Sequence, residues 1–237
     1  MIVLGWDLES TGLDTANDSI IEIGAIVYDT ENKVPLDIYS QLIRLSKNLP
    51  DDYMSPTGIK GDWLGQYGKS IHEAFGDVQK IIARSSPACV IAHNGENFDK
   101  PLTFAELDRA NIVGHSLAKM HWLDPRTDIN FKKEPASRSL TTLAAEHGFI
   151  NPFPHRAIFD VITMLKLLDH YDFKEVFEES QKPRITVRAL ASFDTRQKAK
   201  DLRYSWNGTI WTKIIKESDF KKEQEAAMAI DLKIVVL

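Results

Sequence analysis

Two carboxylates stand two residues apart at the end of the first apolar run, Ile2-Val3-Leu4-Gly5-Trp6-Asp7-Leu8-Glu9. Residues i and i+2 of a strand point to one side, so Asp7 and Glu9 face one spot about 7 Å apart or closer. Like charges at the end of a buried strand are costly unless a cation lies between them, and the pair therefore reads as a seat for divalent metal. Two more acids, Asp99 and Asp160, lie beside apolar helix positions, where a carboxylate facing the core needs a partner. His155 stands just ahead of Asp160. Oxygen donors without a zinc-spaced Cys/His pair suit Mg²⁺ or Mn²⁺. A lone Asp-x-Glu is a weak signal, and the reading draws its force from the five positions taken together.

The elements that must position these residues follow from periodicity and punctuation. Residues 1–9 and 19–29 read as strands rich in β-branched side chains, and 36–45 as a third, alternating strand. Short polar connectors make the three an antiparallel meander. Residues 46–70, with Pro50, Pro56 and several glycines, read as loop. A helix is expected over 70–83, with Ile71, Phe75, Val78 and Ile82 on one face. A buried strand over 88–92 runs into His93-Asn94-Gly95-Glu96-Asn97-Phe98-Asp99, followed by a helix over about 97–110 with Pro101 in its first turn. A further short strand is expected within 115–123. A helix over 139–147 stops at Gly148. Pro152 and Pro154 break the chain just before His155, and a strongly amphipathic helix spans 156–171, with a helical extension over 173–180. Asp124 and Asp128 read as structural acids or neighbours of the ligands.

Bulk properties narrow the class. The 237 residues are 43% hydrophobic and 27% charged, which suits a globular chain with a sizeable core. The single cysteine, Cys89, excludes an internal disulfide and reads as a buried structural thiol. No stretch is apolar enough to span a membrane, and no secretory signal is visible, so a cytoplasmic location is expected. Net charge is −5, unevenly spread: residues 183–237 hold 11 Lys+Arg against 7 Asp+Glu, and the first 182 hold 18 against 27. An acidic body with a basic tail fits metal and polyanion binding, and equally fits chance fluctuation of charge along a chain. Pattern and charge both change at Lys182-Pro183, the expected boundary between a first domain (1–182) and a small second unit (183–237).

Three segments resemble the exonuclease motifs of the DnaQ-like, or DEDDh, 3′–5′ exonuclease superfamily. Asp7-Leu8-Glu9-Ser10-Thr11-Gly12-Leu13 resembles the first, His93-Asn94 through Phe98-Asp99 the second, and His155-Arg156-Ala157-Ile158-Phe159-Asp160 the third in its histidine form. Pro56-Thr57-Gly58-Ile59 resembles the loop before the first long helix but has Thr57 and Lys60 in place of the usual His and Thr. The second motif carries about one extra residue between Asn94 and Phe98. The resemblance covers about residues 1–172. It implies an α/β fold of the ribonuclease H-like type, a mixed five-stranded sheet flanked by helices; the tail lies outside the resemblance and reads from its own pattern as a small α+β unit. It implies two divalent cations, with Asp7 bridging both, Glu9 and Asp160 completing the first site, and Asp99 acting on the second. His155 is the implied base, on a loop expected to close over substrate. Ser10, Thr11, Gly12 and Leu13 are the implied border of the 3′-terminal nucleotide, with Asn94 and Phe98 beside it; Leu13 and Phe98 also fit a plain core role.

The tail reads as a strand over 185–190, a short basic helix over 195–202, a hairpin over 206–211 on Asn207-Gly208, a helix over 218–229 capped by Ser218, and a strand over 233–237. Trp206 and Trp211 are expected in its core, and Arg196, Lys198, Lys200 and Arg203 as weak nucleic-acid contacts. The expected function is metal-dependent 3′–5′ exonuclease action on single-stranded DNA. A 3′-end-trimming exoribonuclease and an inactive nucleic-acid-binding scaffold are the alternatives. The expected partner is a nucleic-acid 3′ end; a proofreading role requires a replication or repair protein as well, and the oligomeric state is left open.

Overall fold

β1 (Ile2–Ser10) lies at the centre of a five-stranded sheet. The protein is seen as a computed structural model that describes residues 1–46, 49, 56–206 and 208–237; the expectations placed on Pro50 and Asn207 lie outside these residues. It divides into two compact units, Met1–Ser180 and Gln181–Leu237. In the first, β1 pairs antiparallel with β2 (Ile20–Asp29), and β2 pairs antiparallel with β3 (Val34–Leu42). β2 is buried along nearly its whole length, which is why its sequence shows a continuous apolar run rather than alternation. β3 is the exposed edge strand.

Two helices follow, α1 (Gly61–Tyr67) and α2 (Ile71–Ser85). The α2 N-terminus carries a reciprocal Ser70/Glu73 capping box, and Phe75, Val78 and Ile82 face the core. β4 (Val90–Ile91) pairs parallel with β1 and leads into α3 (Asp99–Arg109). β5 (Trp122–Leu123) pairs parallel with β4. Then come α4 (Pro125–Asp128), α5 (Leu140–Glu146), α6 (Ala157–Leu168) and α7 (Phe173–Ser180). The sheet order is β3-β2-β1-β4-β5, mixed in direction and flanked by helices as expected. One face buries Trp6, Phe75, Val78 and Leu102; the other buries Val3, Ile91, Leu143, Val161, Met164 and Leu165.

Three local expectations change. The region read as loop contains α1, a short helix with two glycines that is anchored by one buried residue, Leu64. The strand expected within 115–123 shrinks to Trp122–Leu123, because His115 accepts from the Leu117 N–H and starts a single 3₁₀ turn over Ser116–Ala118. α4 was not anticipated; Asp124 caps it and Pro125 opens it.

In the second unit, β6 (Arg184–Ala189), α8 (Arg196–Asp201), β7 (Ser205–Trp206), β8 (Trp211–Lys216), α9 (Phe220–Ala229) and β9 (Ile234–Val236) follow in order. They form an antiparallel sheet, β7-β8-β6-β9, packed on a small core that includes Val187, Ala199, Tyr204, Trp211 and Leu232. Trp206 departs from expectation: it is 52% exposed on the edge strand and leans on Trp211, with ring centroids 5.4 Å apart. Trp206 pairs with Trp211, and Ser205 with Thr212, across the two strands. Ser218 is not the helix cap, since it falls in a 3₁₀ turn and α9 begins at Phe220. Among the described residues no helix is long and apolar enough to cross a membrane.

Candidate active site

The acidic cluster exists because α6 lies directly on the sheet, over two glycines. A Cβ at Gly24 would stand 2.5 Å from the carbonyl carbon of Ala157, and one at Gly5 would stand 2.7 Å from Cγ1 of Val161. In the strand register Gly24 lies opposite Asp7. The absence of a side chain there lets the first turn of α6 descend beside Asp7 and deliver Asp160. One carboxylate oxygen from each of Asp7, Glu9 and Asp160 lies within 4.8 Å of the others. Asp99 is not part of this group of three. It opens α3, and its Oδ1 accepts the Leu8 N–H at 3.0 Å, which fixes it against β1 between Asp7 and Glu9 in sequence. Trp6 Nε1 donates to Thr103 Oγ1 at 3.2 Å and ties α3 to the same strand.

The electrostatics are those of a cation site. Burial first, then Asp99, Asp160, Glu9 and Glu22, pushes the Asp7 carboxyl well above the ordinary range. Burial, with Asp160, Glu22 and Asp99, pushes Glu9 up to about 8. Burial also pushes Asp99 up to about 8, against the pull of its backbone hydrogen bonds. Burial raises Asp160 too, opposed by His155 and by backbone N–H donors. Without positive charge, such a group must hold protons at neutral pH. The donor set is all oxygen, converging and mutually repelling, so the residues fit one or more hard divalent cations.

The remaining predicted residues lie at the end of β1 and just after it, and on the segment that leads into α3. Ser10 ends β1, and its Oγ donates to the Gly12 carbonyl at 2.5 Å. Thr11 Oγ1 donates to Asp18 Oδ1 at 2.8 Å, and Asp18 also accepts the Asp14 N–H, so one carboxylate fastens this turn. Leu13 is 87% exposed, which removes the core reading. Phe98 packs partly against the first core at the N-cap of α3. Asn94 has φ +63°, its N–H donates to Asp124 Oδ1 at 2.9 Å, and its side-chain oxygen accepts from Arg126 and from Asn97. Asp124 thus holds the second motif and α4 together. Its other oxygen is buried without a partner, and burial pushes the group up to about 7.

His155 is exposed and has φ +62°. Three residues around it were missed from sequence. Asn151 is buried; its Nδ2 donates to Asp160 Oδ1 at 2.8 Å, and its Oδ1 accepts the Phe153 N–H at 2.9 Å. Glu22 on β2 is 1% exposed and accepts from Arg156 Nε and Nη2 and from the Ala157 N–H. The Pro-flanked segment is therefore hydrogen-bonded on both sides of His155, through Asn151 and through Arg156. The signal for Glu22 was available: it interrupts the apolar run Ile20-Ile21-Glu22-Ile23, as Asp7 interrupts β1. Asn151 and Arg156 carried none, because their partners are remote or on another element.

Residues 4–168 match the family model RNase_T, described as exonuclease. A curated relative, the 3′-5′ exonuclease DinG of Staphylococcus saprophyticus, is 29% identical over 162 residues. That match covers 68% of this chain but only 17% of the relative's length. Among solved structures, the nuclease domain of 3′hExo, a DEDDh family member bound to rAMP, is similar with a TM-score of 0.61 and 18% identity. The alignment covers 71% of this chain and 90% of that one. Escherichia coli Exonuclease I in complex with a dT13 oligonucleotide is similar with a TM-score of 0.58 and 15% identity, covering 80% of this chain and 48% of that one. At these identities the structural likeness speaks to the fold.

Proposed function

This chain belongs to the RNase_T exonuclease family, and on that premise we propose that it is a metal-dependent 3′–5′ exonuclease acting on single-stranded DNA. The observation that carries the reading is the convergence of Asp7, Glu9 and Asp160 oxygens within 4.8 Å, with Asp99 fixed against the same strand. Asp7, Glu9, Asp160 and Asp99 would hold two cations, Mg²⁺ or Mn²⁺. When bound, the cations would supply positive charge against the phosphodiester and make water a better nucleophile at neutral pH. Asp7 feels the repulsion of the three other acids, and its carboxylate would be a ligand when cations are bound.

The remaining steps belong to the chain itself. His155, the base, takes a proton from the attacking water. The water oxygen bonds to phosphorus, the bond to the preceding 3′ oxygen breaks, and that oxygen takes a proton from solvent to leave as a 3′ hydroxyl, while His155 gives up its proton to solvent. A nucleoside 5′-monophosphate is released. Ser10, Thr11, Gly12 and Leu13 seat the terminal nucleotide, with the exposed Leu13 offering apolar surface to its base. Phe98 and Asn94 border the same end. Support for a DNA substrate is the fold shared with an exonuclease seen with dT13; 3′hExo, seen with rAMP, supports RNA as the alternative.

The test is digestion of matched 5′-labelled DNA and RNA oligonucleotides, single- and double-stranded, with Mg²⁺, Mn²⁺ or chelator. The expected result is a 3′-shortening ladder on single-stranded DNA that chelator abolishes. Cleavage that resists chelator, or that survives intact in Asp7→Ala, rejects the reading; a ladder on RNA alone transfers it to the exoribonuclease.

A further inference from the structure

We propose that Glu22 and Arg156 are a positioning pair that presents His155 to the acidic cluster, an inference that rests on the exonuclease reading and assigns two residues to its general-base step. Glu22 lies opposite Glu9 in the β1–β2 register and is 1% exposed. A carboxylate in that place adds to the repulsion already felt by Glu9 and Asp7, and a buried acid with no other duty would be a net cost. Among the described residues, its compensation is the start of the third motif. Arg156 Nε donates to its two oxygens at 3.2 and 3.1 Å, Nη2 donates at 2.9 Å, and the Ala157 N–H donates at 3.0 Å.

Arg156 is the residue next to His155. A guanidinium that grips a carboxylate through two nitrogens is fixed in direction as well as distance, which a lysine cannot reproduce. The grip holds the chain where His155 turns through φ +62°, a conformation that a non-glycine residue keeps only when its surroundings impose it. On the N-terminal side of the turn Asn151 Nδ2 donates to Asp160 Oδ1, and on the C-terminal side the Arg156 N–H donates to Asp160 Oδ2 at 3.2 Å. His155 therefore lies on a segment tied to two carboxylates, Glu22 on β2 and Asp160 on α6. Docking of α6 does not require the pair, because Val161, Met164 and Leu165 already bury that helix on the sheet. What the pair adds is the direction in which the chain enters α6, and that is where His155 sits.

The experiment compares Arg156→Ala, Arg156→Lys and Glu22→Gln, each alone and combined with His155→Ala. Steady-state kinetics and hydrogen exchange are measured on the full chain. Arg156→Ala and Glu22→Gln are expected to lower kcat about tenfold or more while KM stays within roughly threefold. Arg156→Lys should recover part of the loss. In the His155→Ala background the same changes should cost less than about twofold, because a residue acting through the base has nothing left to act on. Amides of residues 151–157 should exchange faster in Arg156→Ala and Glu22→Gln, with the other segments unchanged. Equal loss in both backgrounds overturns the proposal, as does a rise in KM alone, which would mean a direct phosphate contact. Unchanged exchange over 151–157 overturns it too, and this readout does not depend on catalysis. A wild-type chain without chelator-sensitive nuclease activity rejects the exonuclease reading separately.

Discussion

At the scale of single residues, the cluster sets stability against function. Glu9 and Asp99 are held at about 8 in the folded chain, above their ordinary values of 4.5 and 3.8. A carboxyl raised on folding keeps protons that the unfolded chain has released, so its contribution to stability falls as pH rises through that window. The metal-free protein should therefore show a falling Tm between about pH 5.5 and 8 in chelator, measured by differential scanning fluorimetry. Adding Mn²⁺ at pH 8 should raise Tm, because the cation offsets the same repulsion. Asp7→Asn removes a buried carboxyl that must either ionise against its neighbours or hold a proton, so it should raise the Tm of the chelated protein at pH 8 while lowering activity about a hundredfold or more. A pH-independent Tm, or an Asp7→Asn variant no more stable than wild type at pH 8, would contradict this account of the cluster.

At the scale of elements, the site depends on the approach of α6 to β1 and β2. The two glycines beneath α6 are not equivalent. At Gly24 a Cβ meets the backbone of Ala157 and Ile158, which cannot move without carrying the helix; at Gly5 it meets side chains, Val161 and Leu165, that can rotate. Gly24→Ala should cost about 1–3 kcal/mol in urea unfolding and displace Asp160, with a matching loss of activity. Gly5→Ala should cost less on both measures. Equal effects would mean that α6 is not held by this contact. The mixed sheet has a parallel role: β1 carries Asp7 and Glu9, the parallel β4 delivers the turn that ends in Asp99, and the Leu8 N–H closes the link between them.

At the scale of the molecule, charge and aromatic exposure separate the two units. The second unit has the exposed Trp206 on its edge strand. Its short basic helix carries Arg196 and Lys200, with Arg203 just beyond it. Lys198 is engaged with Asp231, and Arg196 donates to the Phe193 carbonyl and lies over the Phe193 ring. We propose that this unit contributes to holding single strands, with Trp206 as a stacking face. Changing Arg196, Lys200 and Arg203 together to Glu should flatten the salt dependence of single-strand binding by about 0.7 for each phosphate that is no longer neutralised. Trp206→Ser should weaken binding with the salt slope unchanged. Fluorescence anisotropy on a catalytically inactive Asp7→Asn background measures both, and an unchanged affinity in both variants rejects the proposal.

Sequence alone determined that Asp7, Glu9, Asp99, His155 and Asp160 call for a common explanation, because a polar residue breaking an apolar period is a local signal that needs no coordinates. It also determined the order of strands and long helices, since burial imposes a period on each. Tertiary structure decided what depends on residues far apart in the chain. It placed Glu22 under Arg156 across 134 positions and Asn151 on Asp160. It made Gly24 the floor of the first turn of α6, exposed Trp206 where a core was expected, and gave the His155 segment hydrogen-bond partners on both sides. Period and composition report what each segment does with its own faces. They are silent on which remote partner satisfies a buried charge, and in this protein those partners hold the candidate base in place.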